Sequence, residues 1–168
     1  MSFPLPVENS KEIIICDSED ARKAHKELFR LDDNLYITTN GTGGILNAVL
    51  SVVDSCNSAS SLCPAKIHIV VNWMNLLRVS LWKNDINTGD MFMLLKNSGI
   101  DSQELQPFKN SDLNDIFHSF YYAKRFDILR RLCHLARKQT ESQFKSQPVR
   151  VICHIISEET KRIVATSL

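Results

Sequence analysis

The sequence predicts an α/β domain: a single mixed, largely antiparallel sheet of about five or six strands, covered by about three or four helices. Three observations carry that prediction. The first half alternates short β-branched runs with longer amphipathic ones. One long amphipathic stretch then dominates, and the chain ends on two strand-like runs separated only by "EET". A length of 168 residues, 43% of them hydrophobic and 23% charged, is enough to bury one ordinary core, and the composition points away from disordered and membrane classes.

Residues 1–11 hold two prolines and no apolar period, so they read as an extended tail whose Phe3, Leu5 and Val7 lie along a sheet edge or a partner. A single globular domain over 12–168 follows. "EIIIC" (12–16) has the β-branched apolar content of a buried strand. In "DSEDARKAHKELFRL" Asp17 is a candidate N-cap, acids fill the first turn, and Ala21, Ala24, Leu28 and Leu31 keep helical spacing. "LYITT" (35–39) is a second strand candidate. Ile45, Leu46, Ala48, Val49, Leu50, Val52 and Val53 then occupy most sides of a helical wheel, as expected of a helix packed on more than one face.

"KIHIVVNW" and "LLRVSLW" both look like strands, and the two residues between them, Met74 and Asn75, suit a hairpin. "DMFMLLKNSG" reads as a short helix stopped by Gly99 at a left-handed C-terminal position. From Ser111 the longest helical pattern begins. Its apolar face runs through Leu113, Ile116, Phe117 and Phe120, then reappears displaced at Ile128, Leu129, Leu132 and Leu135. That shift predicts a kink or two abutting helices between Lys124 and Asp127. "VRVICHIIS" and "KRIVATS" close the chain as a hairpin, giving the order β-α-β-α-β-β-α-α-β-β.

"NGTGGI" places Gly41, Thr42, Gly43 and Gly44 between a strand and a helix, where backbone N–H groups and the helix dipole favour an anion. The details of a nucleotide motif are missing. Leu46 stands where the dinucleotide fingerprint needs its third glycine, no Gly-Lys-Ser/Thr follows, and the next strand ends in "VVNW" without a ribose-binding carboxylate. The stretch reads first as a tight turn and second as an anion site.

No HxxxH, HExxH or CxxC pattern occurs, so no metal ligands and no cofactor are expected. Cys133-His134 and Cys153-His154 cannot act jointly on one atom, because neighbours on a strand face opposite ways and neighbours on a helix diverge by about 100°. The five cysteines, Cys16, Cys56, Cys63, Cys133 and Cys153, are odd in number and widely spaced, unlike a secreted disulfide framework. Together with an N-terminus lacking a secretory pattern, they predict a cytoplasmic protein without membrane insertion.

The net charge of +1 conceals an asymmetry: residues 124–145 carry seven basic and two acidic side chains. Lys124, Arg131, Lys138 and Lys145 recur every seven residues, beside Arg130 and Arg137, and Tyr122 and Phe126 fall off the apolar face. A basic face of this kind suits phosphates, anionic lipid or an acidic protein segment, or it is neutralised by the acidic N-terminal helix. The pI near 7.7 and the lack of any nucleic-acid-binding motif argue against nucleic acid. Exposed aromatics next to arginines have the composition of interface hot spots. The expectation is a non-catalytic interaction module: an adaptor, chaperone-like or accessory subunit of a hetero-oligomeric assembly. It binds an acidic or apolar partner segment through Lys124, Arg130, Arg131, Arg137, Lys138, Tyr122 and Phe126, and through sheet edges. The alternatives are a phosphate- or nucleotide-binding enzyme using Gly41–Gly44, and a nucleic-acid-binding accessory protein.

Overall fold

A computed structural model describes residues 11–40, 44–59 and 63–168. Among these, five strands form one mixed sheet: β1 (Glu12–Cys16), β2 (Tyr36–Thr38), β3 (Lys66–Val71), β4 (Arg150–Ser157) and β5 (Arg162–Thr166). The strand order is β2-β1-β3-β4-β5. Seven α-helices accompany them: α1 (Glu19–Phe29), α2 (Gly44–Ser58), α3 (Trp73–Leu81), α4 (Thr88–Asn97), α5 (Ser102–Leu105), α6 (Leu113–Tyr122) and α7 (Phe126–Glu141). The tail residues Phe3, Leu5 and Val7 lie outside the described residues.

The α/β class and the mixed five-stranded sheet agree with the sequence reading, but the sheet is not largely antiparallel. β1 pairs in parallel with β2 and β3, β3 pairs in parallel with β4, and only β4–β5 is antiparallel. The cause is local. "LLRVSLW" is helical, so no central hairpin exists and the chain returns to the sheet by crossovers. Asn72 caps α3, its Oδ1 accepting from Asn75 N at 2.9 Å. Trp73, Leu76, Leu77 and Ser80 then share a buried face at helical spacing. Strand-like alternation in seven residues was weaker than this cap and period.

Other elements match with small displacements. Asp17 does not cap α1; Ser18 does, its Oγ accepting from Ala21 N at 3.1 Å. The long helical pattern is two helices, broken where Lys124 takes a left-handed φ of 56°. Gly99, at φ 92°, follows α4 in the left-handed conformation expected of it.

Strand alternation divides the core into two unequal parts. Ile13, Ile15, Ile67, Ile69, Val71, Val151, Cys153 and Ile155 face α2, α3, α4, α6 and α7 in the larger cluster. Ile14, Cys16, Val70 and Ile156 face the other way, toward Ala21 and Ala24 of α1. One helix of 11 residues therefore covers the second face. Among the described residues no helix is long and apolar enough to cross a membrane.

Candidate functional site

Three places bear on function. The first is the set of strand ends at which an open α/β sheet binds ligands, where the chain leaves β1 for β2 and later returns on its other side as β3. Asp17 follows β1 and Asn72 follows β3. Asp17 is 7% exposed, and its Oδ2 accepts from Asn72 N at 2.7 Å and Asn75 Nδ2 at 2.8 Å. Its Oδ1 is buried without a hydrogen-bond partner among the described residues. Burial raises the Asp17 pKa, against the lowering effect of these N–H donors. Asn72 Nδ2 donates to Glu158 Oε1 at 2.9 Å. The adjoining crevice, lined by Asn72, Trp73, Phe117, His118, Ile156 and Glu158, has a volume of about 70 Å³, well under the ~300 Å³ of small-molecule sites.

Of the glycine run, Gly41, Thr42 and Gly43 lie outside the described residues. Gly44 opens α2 beside Thr39, where an added Cβ would sit 3.4 Å from Thr39 Cβ, an ordinary contact. Close packing against Thr39 therefore does not require a glycine at this position.

The second place is the surface around the α6–α7 break. Tyr122 is 64% exposed and Phe126 37%. The Tyr122 hydroxyl donates to Glu159 at 2.8 Å, and Phe126 stands edge-on to Tyr121 at 6.0 Å. Lys124, Arg130, Arg131 and Lys138 are exposed and form no ion pair with a described residue. α1 does not neutralise them: Asp20 pairs with Lys161 and Glu19 with Arg22. The seven-residue stripe is not continuous, because Lys124 lies in the break and Lys145 beyond α7. Arg137 also departs from the expected set. It pairs with Glu141 at 3.1 Å, and the same Glu141 oxygen accepts from Val151 N at 3.0 Å, so Arg137 braces α7 against β4.

The third place is one that sequence spacing missed. His25 of α1, His68 of β3 and His154 of β4 converge in the smaller core, at 0%, 2% and 1% exposure. His25 Nε2 lies 3.0 Å from His68 Nδ1, which lies 3.0 Å from His154 Nε2. Glu12 Oε1 is 2.6 Å from His68 Nε2, and the Tyr36 hydroxyl is 2.8 Å from His25 Nδ1. The Phe29 ring stacks on His25 at 4.3 Å and lies 5.3 Å from each of the other two imidazoles. Burial drives the His25 and His154 pKa values down to about 3. It also lowers that of His68, partly opposed by Glu12. The three side-chain nitrogens lie within 4.8 Å of one another and can serve as ligands to one metal ion. The only earlier signal was period-2 alternation, which puts Glu12, His68 and His154 on the same face. Which strands are neighbours was not in the sequence.

The cysteines also depart from expectation in one pair: Cys56 and Cys63 form a disulfide across a separation of seven residues. Cys16, Cys133 and Cys153 are free and buried. Cys153 and His154 do face opposite sides of the sheet, in the larger core and the smaller one respectively. Compared with protein-family models, curated proteins and solved structures, the chain matches none.

Proposed function

We propose that the chain is a non-catalytic interaction subunit of a larger protein assembly, and that the α6–α7 break is its contact surface. The observation that carries this reading is that exposed Tyr122 and Phe126 accompany exposed Lys124, Arg130, Arg131 and Lys138, which form no ion pair among the described residues. Rings that present large rigid area next to unneutralised guanidinium groups are the composition of interface anchors. Charge complementarity selects the partner: a protein segment carrying acidic and apolar side chains. A cytoplasmic setting belongs to the same proposal, and the redox state of Cys56 and Cys63 in the cell tests it.

Photo-crosslinking decides the interface. A crosslinking amino acid at Tyr122, with the exposed Leu28 as control, should capture a partner at 122 alone. Binding of that purified partner should fall at least ~tenfold with Arg130→Glu, Arg131→Glu and Lys138→Glu combined. Arg137 is left intact because it supports the fold through Glu141. Equal capture at both positions, or unchanged affinity, removes the surface from the proposal. Capture of nucleic acid with steep salt dependence would favour the nucleic-acid reading instead.

The phosphate-binding enzyme reading draws its support from the buried Asp17 Oδ1, which has no hydrogen-bond partner among the described residues, at the strand ends of the sheet. It is the weaker one, since Asp17 and Glu158 at these strand ends repel a phosphate and the crevice is small. A melting temperature unmoved by nucleotides and phosphorylated metabolites, with and without magnesium, ends it.

A further inference from the structure

The histidine cluster is poorly explained as a set of hydrogen bonds alone. His68 Nε2 faces Glu12 Oε1 at 2.6 Å, so the ring proton belongs on Nε2 and the lone pair on Nδ1. That nitrogen has one in-plane lone pair, yet two imidazole nitrogens stand 3.0 Å from it. One of them can donate along the lone pair; the other is left with a poorly aligned contact in a site closed to water. A buried polar group without a good partner costs about 1–3 kcal/mol, so two apolar side chains of similar size would serve mere packing better.

We infer that His25, His68 and His154 bind one divalent transition-metal ion of the imidazole-preferring class, zinc(II) first, which ties α1 to β3 and β4. Each nitrogen facing the centre offers a lone pair. In tetrahedral zinc sites, Zn–N bonds of about 2.0–2.1 Å place ligand nitrogens about 3.3 Å apart. The two 3.0 Å separations therefore need to open by only a few tenths of an ångström.

The surroundings supply the support that metal-bound imidazoles use. Glu12 holds the His68 tautomer with its lone pair inward, in a carboxylate–histidine–metal arrangement. The Tyr36 hydroxyl is placed to do the same for His25, accepting from Nδ1–H when Nε2 is a ligand. The half-buried Phe29 ring packs on all three imidazoles and shields them from solvent, and the three histidine nitrogens leave one tetrahedral position to a small ligand such as water. The location gives the ion something to do. Among the described helices only α1 covers this sheet face, and a bond from His25 to two strands anchors it where the apolar cluster is the smaller one.

The test uses the full chain, purified without a polyhistidine tag and stripped with a chelator. Titration with cobalt(II) should give visible ligand-field absorption with a one-to-one endpoint and no thiolate charge-transfer band. Zinc(II) should displace the cobalt and raise the melting temperature. With metal, hydrogen exchange should slow over residues 19–29. His154→Gln should lose the binding. Glu12→Gln, which keeps all three ligands and changes a side chain at the cluster's edge, should weaken it ~10–100-fold. His118→Gln and His134→Gln should leave it unchanged. Wild-type protein that takes up no cobalt or zinc overturns the inference. So does a thiolate band, which would put the ion on cysteine, or binding indifferent to Glu12→Gln and His154→Gln.

Discussion

His68 Nδ1 stands 3.0 Å from His154 Nε2 across 86 residues of chain. The two are not register partners: on the parallel β3–β4 pair His68 faces Ile152, and His154 faces Val70. They are diagonal neighbours on one face, within reach of long planar side chains. With His25 they fill the volume under α1 where an apolar core would otherwise lie. In chelator-treated protein, His154→Ala should therefore lower stability by about 2–4 kcal/mol through the cavity it leaves. Urea unfolding measures it; a loss below ~0.5 kcal/mol, the range of ordinary surface changes, would show that the cluster does not support the fold.

Asp17 gives a pH dependence of defined sign. Burial raises its folded-state pKa above the unfolded value of about 3.9. Its contribution to stability is then fully present below the unfolded pKa and is lost as pH rises through the folded one. Asp17→Asn removes that loss. The variant should gain on the wild type between about pH 4 and the raised folded-state value, then hold its advantage. Paired urea curves across that range read the difference. A wild type that gains instead would mean that the Asn72 and Asn75 donors outweigh burial.

The cysteines separate into two classes. Burial raises the thiol pKa values of Cys16, Cys133 and Cys153, that of Cys133 to about 12, and a buried thiol that is not ionised does not react. Alkylation of native protein, read by peptide mass spectrometry, should label no described cysteine before reduction and, after it, the half-buried Cys63 in preference to the buried Cys56. Opening that short loop should cost about 2 kcal/mol. Label on Cys153 without unfolding would contradict the burial of β4.

Much of the fold was legible where a local signal had no rival. β1 follows from "EIIIC", α2 from apolar residues on most sides of the wheel, and the closing hairpin from two runs flanking "EET". The displaced apolar face after Phe120 marked the α6–α7 break, and Lys124 supplies the left-handed residue that makes it. The error at "LLRVSLW" arose because seven apolar and polar residues fit both periods. A cap at Asn72 and burial on one helical face decided between them.

For the proposed contact surface, sequence by itself determined which residues are basic and which aromatics fall off the apolar period, since both are properties of a single helix. Which of them stay unpaired is tertiary: Arg137 turns to Glu141 and β4, while Arg130 and Lys138 do not. The histidine cluster lies wholly on the tertiary side. Alternation along each strand puts His68 and His154 on a face, but only the order β2-β1-β3-β4-β5 makes their strands neighbours, and only the packing of α1 brings His25 down onto them. Residues 25, 68 and 154 share no spacing rule because the distance that matters runs across the sheet and not along the chain.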